Sequence, residues 1–507
     1  MMKVAPPPSE CADSSASIVR RPVGSSGFWS IAVAFMALFV LTACDQQEVR
    51  YRVRWSPDGS KALIVASDGI HLAKADGLLS PVLIADAYPV AWMPDSSRFA
   101  ACRHKEVKDW VTVQKYLSKA AQASVIEAAK KLRPILLAHQ GDWEHWSEAE
   151  EAQLKAIDLT YSDAVMVYLH DHDNGALRKK LGDKVPEYLK GAVKIDVVEV
   201  QRLSDQTSQL EKVMYETSGT IKELRASPNG AAIAVVEEVK STNGDTDTTL
   251  TALLGDGGTR LVASGVARYP DWTADSRSLV FIQRAIEPSH GIAGKLCQRR
   301  VFDDQDKPLK ELVERQDLAS TVFNAFSRVR CLKDGHAIFS SAELTVPSAP
   351  DSQSQRAMLF SVDPRYFNVV RIVPDRLRYA IGAQGECFAV SPDGQRLAVL
   401  SESGLVHVLE IASGKITEAQ THELDPDTYG RAVFMPEWRN DEEITFAAPA
   451  TRKEGSKRMS DVILYSVPRD KGADFSEKWP SEAGAFLDQA EKTSAPSAEQ
   501  QPAPKPQ

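Results

Sequence analysis

Trp55-Ser56-Pro57-Asp58-Gly59 runs into the apolar stretch Ala62-Leu63-Ile64-Val65. Pro57 presets φ for the first corner of a tight turn, Asp58 hydrogen-bonds its own backbone, and Gly59 accepts a left-handed exit. One strand must enter such a turn and another must leave it, so the stretch reads as a hairpin corner. It returns as Ser391-Pro392-Asp393-Gly394 before Leu397-Ala398-Val399-Leu400, and as Ser227-Pro228-Asn229-Gly230 before Ala232-Ile233-Ala234-Val235-Val236. Looser copies are Trp92-Met93-Pro94-Asp95, Trp272-Thr273-Ala274-Asp275, Leu332-Lys333-Asp334-Gly335 and Trp438-Arg439-Asn440-Asp441, which makes seven corners on one chain.

Around each corner the grammar repeats. In the first unit Tyr51–Trp55 enters, Lys61–Ala66 leaves, Gly69–Lys74 forms a third strand and Pro81–Ala85 a fourth. The sixth unit runs Glu386–Val390, Arg396–Leu400, Leu405–Ile411 and Lys415–Ala419, with the alternation of a half-covered strand in Val406-His407-Val408-Leu409-Glu410. Four short antiparallel strands repeated in this way describe a propeller blade. The expected fold is therefore mainly β, a seven-bladed β-propeller, with six blades if the weak fifth or seventh corner is misread. A chain of 507 residues would ordinarily divide into two or three domains. Repeats escape that rule, because each buries its apolar face on its neighbours.

These corners and the apolar strands after them resemble the TolB-type, WD-repeat-like propellers, over residues 46–470. That resemblance implies protein partners in the cell envelope. The formal net charge of −9 leaves no general basic surface, so nucleic acid is not expected as a partner.

The spacing of the units is uneven. Corners one and two lie 37 residues apart, whereas more than 130 separate corners two and three. Residues 106–190 are rich in Ala, Glu, Lys and Leu and nearly free of alternation. Trp110, Val113, Leu117, Ala121, Ile126 and Ala129 keep helical spacing, and a helix is expected to stop before Pro134. Ser147-Glu148-Ala149-Glu150 is a capping box that should open a second helix running towards Tyr161, and Asp163–His170 reads as a third. Strand grammar resumes at Val193-Lys194-Ile195-Asp196-Val197-Val198-Glu199-Val200. The simplest account is a helical insertion between the second and third strands of blade two. Insertions in repeat proteins fall on one face and often form the binding surface.

At the N-terminus, Arg20-Arg21 precedes an apolar run from Phe28 to Ala43, too short for a membrane span of ~20 residues but suited to a secretory signal. The run ends Leu41-Thr42-Ala43-Cys44. It resembles the bacterial lipoprotein box, in which a branched residue and two small ones precede the cysteine that is lipidated and becomes the new N-terminus. Residues 1–43 then form a lipoprotein signal peptide, 44–470 the propeller, and 471–507 a short helix with a disordered Pro/Gln/Ala tail. The implied location is the periplasmic side of a membrane, held by a lipid on Cys44. Asp45 tilts the expectation towards the inner membrane, with the outer membrane as the alternative. The last blade lacks a clear fourth strand, and Gln46–Val49 are expected to supply it and close the ring.

Catalytic, cofactor and metal residues are not assigned. The chain has no G-x-S-x-G elbow, Walker loop, C-x-x-C pair or dinucleotide glycine fingerprint. His170-Asp171-His172-Asp173-Asn174-Gly175 superficially resembles a calcium loop, but its glycine comes one place early and no closing Glu follows. It reads as a helix end stopped at Asn174-Gly175. Trp143, His145 and Trp146 are the candidate partner-binding residues, with packing of the next helix against the propeller as the competing reading. Cys102, Cys297, Cys331 and Cys387 allow three pairings if all are bonded, with buried free thiols as the plainer expectation. The functional expectation is a lipid-anchored envelope propeller that binds or scaffolds protein. The alternative is an envelope enzyme or small-ligand binder with its site at the channel.

Overall fold

At the first corner the Ser56 amide donates to the Lys61 carbonyl at 2.8 Å, and the Gly59 amide donates to the Ser56 carbonyl at 2.8 Å. Asp58 Oδ1 accepts from the Ser60 amide at 3.0 Å, and Gly59 holds a φ of +67°. The aspartate thus supplies the acceptor that a short turn cannot find in its own backbone. Asn229 does the same for Ala231 at 3.0 Å, and Asp393 for Gln395 at 2.9 Å.

The computed structural model describes residues 52–474 apart from 183–190, 343–356, 373–387, 420–435 and shorter loop segments. It contains seven four-stranded sheets, each antiparallel and built from strands consecutive in sequence. The first strands are Arg52–Trp55, Ala87–Trp92, Thr220–Ala226, Asp271–Trp272, Val329–Cys331, Phe388–Val390 and Glu437–Asn440, each entering one of the seven corners. The fold is a seven-bladed β-propeller.

The core lies between blades rather than within them. Leu63, Val65, Ile70 and Leu72 of blade one pack with Val90, Phe99 and Ala101 of blade two. Ala100, Cys102, Val198 and Val200 of blade two share a cluster with Ile221, Ile233, Val235 and Leu253 of blade three. Blades three and four, four and five, and five and six are joined in the same way. With about 1.5–3 kcal/mol for each buried aliphatic side chain, stacking rather than any single sheet carries the stability.

An indole adds a polar tie at several seams. Trp92, Trp272 and Trp438 each donate Nε1 to the main-chain carbonyl of the preceding blade, at Arg54, Arg225 and Ala389, over 2.7, 3.0 and 3.1 Å. Trp55 does the equivalent at the closing seam, donating to Thr445 Oγ1 of blade seven at 2.6 Å. There Arg439 also donates to the Gly59 carbonyl at 3.2 Å and lies over the Trp55 ring.

The fourth strand of blade seven is Ala473–Asp474, paired to Lys457–Pro468. Gln46–Val49, expected to supply this strand, lie outside the described residues. A neighbouring segment of chain reaches a sheet edge at modest entropic cost.

Between the second strand of blade two, Arg98–Val107, and its third, Val193–Ser204, lie helices α1 (Trp110–Val113), α2 (Lys119–His139), α3 (Glu148–Lys155), α4 (Ser162–His172) and α5 (Ala176–Leu181). The insertion is where the composition placed it. The capping box is formed, with the Ser147 amide donating to Glu150 Oε2 at 2.9 Å and Ser147 Oγ accepting from the Glu150 amide at 3.3 Å. Two expectations fail. α3 stops at Lys155 rather than near Tyr161, and α2 runs through Pro134 to His139. A proline inside a helix costs about 3 kcal/mol. Leu132, Ile135 and Leu136 are all buried around it, and at about 1.5–3 kcal/mol each they outweigh the ring. Among the described residues no helix is long and apolar enough to cross a membrane.

Candidate functional site

Counting back two residues from the first residue of each turn reaches Arg54, Ala91, Arg225, Asp271, Arg330, Ala389 and Glu437. A strand alternates its faces with period two, so these residues occupy equivalent positions on seven first strands. The contacts of the charged members run from blade to blade at the inner edges of the sheets, whereas Ala91 packs in the core between blades two and three. Arg54 of blade one pairs with Glu437 of blade seven, and also reaches Glu223 of blade three at 3.7 Å, past blade two, where the equivalent residue is Ala91. Arg225 pairs with Asp271 at 2.7 Å, and the other oxygen of Asp271 accepts from the Cys331 amide at 3.0 Å. The channel is therefore lined by a network of charges contributed by blades one, three, four, five and seven.

The electrostatics follow from burial and pairing. Burial pushes the Asp271 carboxyl up, but Arg225 and Arg330 outweigh it and hold the group below the ordinary carboxylate range. The Arg225 guanidinium is likewise penalised by burial, yet Asp271 holds its affinity for the proton above the usual value. Arg330 is the contrary case: burial, then the like charges of Arg225 and Arg328, push it well below. Arg328 stacks over Phe388 of blade six, 5.5 Å from the ring centre. No local motif could have announced this network, because its members are scattered over the whole chain. Aligning the corner copies and stepping back one pleat marks Arg54, Arg225, Asp271, Arg330 and Glu437 as equivalent, but it misses Glu223 and Arg328 and says nothing of which side chains meet.

A second polar group sits where the insertion leaves blade two. His104 Nδ1 lies 2.7 Å from Asp196 Oδ1 across paired strands, and Asp196 Oδ2 accepts from the Ile221 amide of blade three at 2.7 Å. Cys102 is close enough to complete a trio of metal-ligating types. Burial first, and then Asp196, push its thiol well above the ordinary range, whereas a thiolate is the form that ligates. As built, the trio ties blade two to blade three. Beside it the Tyr215 hydroxyl donates to Glu237 at 3.0 Å; burial and that carboxylate raise the phenol to about 12, and burial raises Glu237.

The insertion shares its core with the propeller. Trp110, Val125, Leu132, Leu136, Val165 and Leu169 pack in one cluster with Val107, Val193, Ile195 and Val197 of blade two. Asp171 accepts from the Trp110 amide at 2.6 Å, Asp173 accepts from Arg133 at 2.6 Å, and His172 stacks on Tyr168. The stretch that resembled a calcium loop is therefore committed to fastening helices together. Of the candidate partner-binding residues, Trp146 stacks on His139 with ring centres 3.8 Å apart and packs against the insertion core. Trp143 and His145 lie outside the described residues, as do Leu41, Thr42, Ala43 and Cys44. Cys102, Cys297 and Cys331 are free thiols, and Cys387 lies outside the described residues.

No known protein family matches the chain by sequence, and no curated protein does. Among solved structures, an oligogalacturonate lyase from Vibrio parahaemolyticus aligns over 78% of this chain and 85% of its own, at 9% identity and a TM-score of 0.40. TolB from Agrobacterium tumefaciens aligns over 52% and 83%, at 12% identity and 0.34. A puromycin-hydrolyzing peptidase of Mycobacterium tuberculosis aligns over 57% of this chain but only 44% of its own length, at 12% identity and 0.38. These are distant likenesses of fold, to a group that includes both enzymes and TolB.

Proposed function

We propose that this chain is a lipid-anchored β-propeller of the bacterial cell envelope that binds a protein partner through its helical insertion and acts as a scaffold. The observation that carries the reading is the core shared by the insertion and blade two, from Trp110 and Leu136 to Ile195 and Val197. A surface meant to hold a partner gains from being rigid before the partner arrives, because less ordering entropy is lost on binding. The sequence Leu41-Thr42-Ala43-Cys44 supports the lipid anchor, and the W-S-P-D-G corner with its partial copies supports the kinship with envelope propellers. A second reading, a small-ligand binder acting at the channel, is favoured by the gathering of Arg54, Arg225 and Arg330 there.

The test is photo-crosslinking in the cell from an unnatural side chain at Val111 of α1, which is 64% exposed. The expected result is an adduct of discrete mass that disappears when residues 108–192 are replaced by an Asn-Gly turn joining the paired Val107 and Val193. The same probe at Leu261 of blade three, 59% exposed, should give none. Equal adducts from both positions would overturn the partner site. Fatty-acid label and membrane association that survive Cys44→Ala would overturn the anchor.

A further inference from the structure

Arg330 is 6% exposed, and of its five donors one has a partner among the described residues: Nη1 donates to the Val329 carbonyl at 2.9 Å. Among the described residues, the carboxylates nearby make their closest contacts with other groups. Glu437 and Glu223 pair with Arg54, and Asp271 pairs with Arg225 while also accepting from the Cys331 amide. The guanidiniums of Arg54, Arg225 and Arg328 lie close enough to Arg330 to act on it as like charges. The opposite charge that acts on Arg330 is Asp271, which is already bonded to Arg225, and a buried charge that is only partly compensated is costly. A guanidinium cannot escape the cost by losing its proton as a lysine can.

We propose that the propeller channel is an anion-binding site centred on Arg330, which takes the carboxylate or phosphate group of a small ligand. Both groups present two oxygens in the spacing of the guanidinium fork, so a bidentate contact satisfies donors that the chain leaves open. Arg225 and Arg328 supply the surrounding positive field, and Asp271 holds Arg225 in place at 2.7 Å. Glu223, Asp271 and Glu437 stand among these guanidiniums and temper the field, which favours a single anionic group over a polyanion. The inference deepens the small-ligand reading of the channel and does not depend on the insertion having a partner.

The test uses the full-length chain in detergent, melted in chloride buffer against rising concentrations of acetate, inorganic phosphate, or sodium chloride as the ionic-strength control. Ligands that bind the folded state alone raise its melting temperature by mass action. The expected result is a saturable rise of about 2–4 °C with acetate or phosphate and none with chloride. Saturation by acetate alone identifies a carboxylate ligand, and saturation by phosphate alone a phosphate. Arg330→Met should abolish the rise and, having removed a buried and only partly compensated charge, melt close to wild type in chloride buffer. Arg330→Lys should keep a response with at least tenfold weaker apparent affinity. Two results would overturn the site: equal responses from wild type and Arg330→Met, which is the mark of a general salt effect, or a non-saturating rise in wild type. Failure here leaves the crosslinking result at Val111 untouched, so the two readings fall separately.

Discussion

Ser276, at the exit of the blade-four corner, holds a φ of +64°, and Ser96 at the equivalent place in blade two holds +53°. Blades one, three and six put glycine there, as Gly59, Gly230 and Gly394, because a Cβ in the left-handed region costs about 1–2 kcal/mol. Serine is accepted for a reason visible in its contacts. Ser276 Oγ takes the Asn229 amide of blade three at 3.0 Å, and Ser96 Oγ takes the Asp58 amide of blade one at 3.2 Å. The hydroxyl therefore links one corner to the next, worth about 0.5–1.5 kcal/mol. Ser276→Ala keeps the strained backbone and loses the bond, so it should lower the urea midpoint by an amount equivalent to about 1 kcal/mol. Ser276→Gly loses the bond but relieves the backbone, and should fall close to wild type. Equal losses in the two variants would show that φ is not what separates them.

Helix α2 is the element in which sequence rules and observed structure part most clearly. It carries Pro134 in its interior, and its buried face runs on unbroken through Leu132, Ile135, Leu136 and His139. The ring removes one i→i−4 hydrogen bond, and tertiary burial tolerates the loss. Pro134→Ala should restore that bond and slow amide exchange over residues 130–138 by about tenfold, equivalent to about 1.4 kcal/mol of local stability. Unchanged exchange would mean that the carbonyl freed by the proline is already satisfied. Proline was read as a stop because local propensity was weighed without the burial that opposes it.

Across the whole molecule, the ring has one seam that chain connectivity does not cover, between blade one and blade seven. Trp55 Nε1 crosses it to Thr445 Oγ1 at 2.6 Å, Arg54 crosses it to Glu437, and Arg439 crosses it to the Gly59 carbonyl. Thr445 is fully buried, so Thr445→Val should leave the indole without an acceptor at nearly unchanged volume. The expected cost is about 1–3 kcal/mol, read as an earlier first transition in urea and faster proteolysis at the ends of the chain. An unchanged first transition would place the weakest seam elsewhere in the ring.

The seven blades were legible in sequence because a corner is a local device. Pro57, Asp58 and Gly59 act on a few neighbouring dihedrals, and the apolar alternation after them acts over one strand. The insertion was legible for the same reason, as a change of period between Glu106 and Lys190. What only the tertiary structure decided is the charge network of the channel, the passage of α2 through Pro134, and the filling of the last sheet edge by Ala473–Asp474. Each depends on residues that meet only when the ring closes: Arg54 and Glu437 stand at opposite ends of the propeller sequence, yet their side chains touch. Local chemistry fixes turns and strands, whereas the energy of a buried charge depends on whatever the fold brings beside it.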